Sequence, residues 1–176
     1  MAIYALGASA PDIAPSAFVH PDSTVIGNVT IGEGSTVWPQ AVLRGDYGKI
    51  VIGARTNIQD GAVIHCTREL DTFIGDDCVI GHLAHLECCV VENGALVGTG
   101  SIVLHKAVVR SGALVGAAAL VPNGMNVPAG AIAVGVPARL REDAADSGAL
   151  TADIARNAAE YVQNGERYVK ELRRLD

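Results

Sequence analysis

A period of six constrains this chain more than any other feature. From Ile13 every sixth residue is aliphatic, through Val19, Val25, Ile31, Val37 and Leu43. The series resumes after a three-residue insertion at Ile52, Ile58 and Ile64, and after a four-residue insertion at Ile74, Ile80 and Leu86. After a one-residue deletion it runs from Val91 in steps of six to Val127. All nineteen positions of the series are Ile, Leu or Val. Four places further on the residue is mostly small, as at Ser23, Ser35, Ala41, Ala62, Ala84, Ala95 and Ala107. A sandwich of alternating strands has a period of two and does not hold one of six. The pattern predicts short strands separated by turns, with one aliphatic and one small residue facing inward in each hexad.

Composition agrees with a narrow interior. The 176 residues are 49% hydrophobic but only 4% aromatic, with 20 Gly. The net charge is −6 and there is no basic run, which argues against a nucleic-acid binder. No apolar stretch approaches the roughly 18 residues of a membrane helix. The first basic residue is Arg44, so a charged signal-peptide start is absent and a cytoplasmic protein is expected. Cys66, Cys78, Cys88 and Cys89 include no CxxC pair and read as reduced thiols.

The repeat resembles the hexapeptide repeat of the left-handed parallel β-helix, a three-sided prism with three hexads per coil. The resemblance supplies the left hand, since chain physics favours right-handed crossovers. An all-β left-handed helix of about six coils is expected over residues 1–140, at the strand spacing of a sheet. Beyond it Ile154, Ala158, Tyr161, Val162, Tyr168, Val169 and Leu172 follow helical spacing. That predicts a helix over 147–175 packed on the prism, capped by Ser147 or Thr151 and weakened or bent at Asn164-Gly165.

Residues three hexads apart stack in such a prism. Arg44, His65 and Glu87 should share one corner, and Asp60 and His82 another, with Gln59 beside them. A lone outward histidine is usually a surface residue; mutual register is what marks these. A six-residue side spans roughly 15–20 Å. One chain cannot bring His65, Glu87 and His82 to one ion, because metal bonds are about 2 Å long. A metal shared by all three would lie between subunits of a closed ring, a C3 homotrimer.

Arg44-Gly45-Asp46, Asn57-Ile58-Gln59-Asp60, His65 and Gly81-His82 resemble the γ-class carbonic anhydrase family over nearly the whole chain. The resemblance implies Zn²⁺, with Fe²⁺ or Co²⁺ as alternatives, held by two ligands of one subunit and one of its neighbour. Those ligands map onto His65, the partner subunit's His82 and position 87, where the family has His and this chain has Glu87. It implies reversible CO₂ hydration by a metal-bound hydroxide, weakened here because a carboxylate ligand makes the metal water less acidic. By the same resemblance Arg44 and Asp46 set the subunit interface, Gln59 bonds the metal water or bicarbonate, and Asp60 orients a ligand. The family's acidic proton-shuttle loop is absent, with Glu69 or Asp71 as weak substitutes. His85 either supports a metal ligand from behind or lies on the surface, and Cys66, Cys88 and His105 form a lesser soft-metal candidate. Tyr161 and Asn157 have no assigned place.

Two other readings stand beside this one. A hexapeptide acyltransferase using acyl-CoA usually takes its catalytic His from a projecting loop, and the insertions here contain none. A non-catalytic metal-bearing binding or scaffold protein would keep the fold without the activity.

Overall fold

The computed structural model describes residues 2–141 and 147–176. Most strands are two or three residues long, and all coil-to-coil pairings are parallel. Three columns of inward residues carry the stack. One runs Val25, Leu43, Ile64, Leu86, Val103, Val121. The second runs Ile13, Ile31, Ile52, Ile74, Val91, Val109, Val127. The third runs Val19, Val37, Ile58, Ile80, Val97, Val115, Ala133. Every one but Ile13 is buried.

The left-handed solenoid has about seven turns, one more than the hexad count predicts. The extra length lies at the ends. Ala2–Tyr4 pairs beneath Thr24–Ile26, and Ile132–Val134 prolongs the third side. Arg139–Leu140 then folds back antiparallel on Ile132–Val134 and covers an open sheet edge. At one corner Gly81, Gly98 and Gly116 stack. A Cβ on Gly98 would lie 2.6 Å from the Ala117 nitrogen, so this corner admits no side chain.

The helix Ser147–Glu171 lies on the third side, where Ile154 and Ala158 cover Val79 and Leu96. It starts at Ser147, which puts Thr151 inside it, and it stops at Glu171, short of the predicted 175. It also runs unbroken through Asn164-Gly165. A Cβ on Gly165 would lie 2.7 Å from the Thr36 methyl, so glycine there sets how closely the helix approaches the prism. Most of the few aromatic residues gather under this helix, with Trp38 4.9 Å from Tyr168 and 5.3 Å from Tyr161. No helix among the described residues is long and apolar enough to cross a membrane.

Candidate functional site

Strand register builds the first edge. Arg44 pairs with His65, and His65 pairs with Glu87, so their side chains leave the same face of successive coils. The His65 ring is held between two carboxylates. Its Nδ1 is 2.6 Å from Glu87 Oε1 and its Nε2 is 3.0 Å from Asp46 Oδ1. An ionised carboxylate only accepts, so whichever ring nitrogen carries a proton donates it. The Arg44 guanidinium donates to the other Asp46 oxygen, Oδ2. The other Glu87 oxygen, Oε2, is 3.2 Å from His105 Nε2 and 3.8 Å from His85 Nε2.

Burial alone would raise the Glu87 pKa. Hydrogen bonds to His65 and His105, with their charges, outweigh it and hold the carboxyl below its ordinary value. Asp46 follows the same balance: burial raises it, and hydrogen bonds from His65 and Arg44 bring it lower.

The second edge is built on the third side. His82 Nδ1 is 3.0 Å from Asp60 Oδ2. Among the described residues His82 Nε2 has no partner. Gln59 is buried and its amide is used twice: Nε2 donates to Asn57 Oδ1 at 2.9 Å, and Oε1 accepts the His82 N–H at 3.2 Å. Gln59 thus braces the His82 backbone. Leu83, next to His82, has φ 59° and is 68% exposed, a large apolar side chain on the open rim. Tyr161 reaches this edge from the helix; burial raises its pKa, and the Asp60 charge adds to the rise.

The predicted residues therefore fall into two groups. Arg44, Asp46, His65 and Glu87 meet on one edge, and Gln59, Asp60 and His82 on another. Among the described residues no three His, Cys, Asp or Glu side chains are closed around one point as a metal shell. The donor set fits a divalent cation by its chemistry. His65 and Glu87 are joined by a single proton, which a cation can replace. Asp60 occupies Nδ1 of His82 and leaves Nε2 to face a ligand.

Column reasoning missed the Asp46–His65 contact, although alternation along the strand Val42–Ile52 puts Arg44 and Asp46 on one face. It also tied His105 to the cysteines. In the structure His105 turns to Glu87, while buried Cys66 and Cys88 point to the backbone oxygens of Arg44 and Leu70. All four cysteines are free thiols. Asp71 accepts the Lys49 N–H at 2.7 Å and ties the two insertions together.

Residues 11–45 match the family described as bacterial transferase hexapeptide (six repeats). The carnitine operon protein CaiE of Escherichia coli K12 is 43% identical over 108 residues, 61% of this chain and 55% of that protein. The chain thus spans about half the length of the curated relatives it matches. A hexapeptide transferase family protein from Anaplasma phagocytophilum is 33% identical, with TM-score 0.90, over 95% of this chain and 98% of the other. A Bacillus cereus protein provisionally described as an acetyltransferase is 35% identical, with TM-score 0.91, over 94% and 95%. With a relative this similar along nearly its whole length, the chain belongs to the hexapeptide transferase family of left-handed β-helices.

Proposed function

We propose that this protein is a γ-carbonic-anhydrase-like metalloenzyme, a homotrimer that hydrates CO₂ reversibly and weakly. His65 and Glu87 of one subunit and the partner subunit's His82 would hold a divalent cation, zinc first and Fe²⁺ or Co²⁺ as alternatives. The observation that carries the reading is the division of the donors. A His–carboxylate pair stands on one edge, and a histidine with its Nε2 free stands on another. When bound, the cation supplies a Lewis acid that lets water ionise, at higher pH here than with three neutral imidazoles because Glu87 adds negative charge.

The chain's own residues do the rest. Asp60 fixes the His82 ring, and Gln59 fixes the backbone beneath it. Arg44 anchors Asp46, which orients the His65 ring. Glu87 accepts at His65 until a ligand displaces the proton between them. Exposed Leu83 beside His82 supplies apolar surface that a neighbouring subunit would bury. Four free thiols support a reducing, cytoplasmic setting.

A second reading has its own support. The family, and the Bacillus cereus relative within it, favour an acyltransferase. The His82–Asp60 pair would then serve as general base toward an acyl-CoA. Stopped-flow CO₂ hydration across pH 6–10, on zinc-loaded and chelator-stripped protein, separates the two. The first reading predicts a zinc-dependent rate with an apparent pKa above about 7. No rate with zinc bound contradicts it, and acetyl transfer from acetyl-CoA by stripped protein would establish the second.

A further inference from the structure

The edge around Glu87 carries more donors than the proposed interface site uses. His85 and His105 are the surplus. His85 stands two residues before Glu87 on the strand His85–Glu87, so strand alternation puts both side chains on one face. His105 lies two residues past the strand Ile102–Val103, which stacks on that strand with Val103 over Leu86. The two Glu87 oxygens divide their neighbours. Oε1 faces His65 at 2.6 Å, while Oε2 faces His105 Nε2 at 3.2 Å and His85 Nε2 at 3.8 Å.

We infer that His85, Glu87 and His105 form a second divalent-cation site, contained within one chain, in which Glu87 Oε2 is a ligand. Both imidazoles direct the same ring nitrogen at the same carboxylate oxygen. In a tetrahedral shell with bonds of about 2.0–2.1 Å, neighbouring donor atoms lie about 3.3–3.4 Å apart. The His105–Glu87 separation of 3.2 Å already matches that spacing. The 3.8 Å at His85 leaves the shell open as it stands, and His85 Nε2 must come about half an ångström nearer Glu87 Oε2 to reach that spacing. The two histidine side chains are each 37% exposed, so a hydrated ion reaches them and keeps water in the remaining positions. Two imidazoles and one carboxylate suit Zn²⁺, Co²⁺ or Fe²⁺ rather than Mg²⁺ or Ca²⁺. Glu87 then bridges two sites, one oxygen to each. The inference rests on the interface reading only for that bridging role; the ligands themselves belong to one chain.

The test is cobalt titration of the full-length protein, followed by visible absorption and by metal analysis after desalting. The expected result is two equivalents per chain for the natural protein and one for His85→Ala/His105→Ala. His105→Gln, which keeps a hydrogen-bond donor beside Glu87, should also lose one equivalent with its circular dichroism unchanged. Equal cobalt content in the natural protein and the double variant overturns the inference. His82→Ala reads the interface site separately. It should keep the equivalent that the double variant loses, and a full complement in His82→Ala would count against the interface reading alone.

Discussion

Glu87 and Asp46 owe their low pKa values to partners that exist only in the fold. For such groups the stabilisation is present above the ordinary carboxylate range and is lost as pH falls through the folded pKa. The urea midpoint should therefore drop on acidification below about pH 5. Glu87→Gln should flatten that drop, and an equally steep profile would contradict the assignment. The thiols act at the other end of the scale. Burial pushes Cys78 up to about 11 and Cys89 to about 12, from an ordinary value of 9.0. The unfolded chain loses those protons first. Stability is thus intact below pH 9 and declines as pH rises toward 11, by about 1.4 kcal/mol per pH unit for each thiol. Cys78→Ala should make the decline shallower between pH 9 and 11 in chemical denaturation. Neither thiol should react with iodoacetamide at pH 8 until the protein unfolds.

At the scale of the element, glycine positions separate two kinds of constraint. Gly98→Ala would drive a methyl group against backbone on the next coil, 2.6 Å from the Ala117 nitrogen and 2.8 Å from the Val115 oxygen. Gly94→Ala meets nothing within 4 Å and suffers only from its φ of 65°. That costs about 1 kcal/mol. Thermal denaturation should show a clearly larger loss for Gly98→Ala; equal losses would contradict the close approach of the coils. The helix gives a matching case. Ile154 is buried against Val79 and Leu96, so Ile154→Ala should cost about 2–5 kcal/mol. The hexad columns made Arg44, His65 and Glu87 legible as neighbours, and Asp60 with His82, because register is fixed by backbone pairing. Side-chain direction is not fixed that way, so Asp46 turning onto His65 and His105 turning onto Glu87 lay beyond the pattern. Gly165 misled for another reason. Local helix propensity disfavours it, but the close approach to Thr36 requires it. The extra coil escaped the count because Ala2–Tyr4 lies ahead of the regular series and joins it only by pairing.

At the scale of the molecule, the described residues leave the prism with one side covered and two open. The helix takes the third side. Val42, Val63, Ile102 and Leu120 line one uncovered side, and Val51, Phe73, Val90 and Val108 the other. Rows of apolar residues on open sheet faces, the first interrupted by His85 between Val63 and Ile102, favour association with further copies, and edges carrying different donors favour a closed ring. With a chain of 18.1 kDa, light scattering should give a mass of about 54 kDa. A monomer at micromolar concentration would contradict the trimer. The claim that matters most is that the partner's His82 completes the site begun by His65 and Glu87. It is tested most directly by mixing subunits: His65→Ala and His82→Ala are purified alone and also co-expressed at equal levels, and zinc is measured in each. The account predicts that each variant alone lacks interface zinc. In mixed rings about one interface in four pairs an intact His65 edge with an intact His82 edge, so about a quarter of the interface zinc, and of any zinc-dependent CO₂ hydration, should return. Mixed rings holding no more zinc than the separate variants would contradict it.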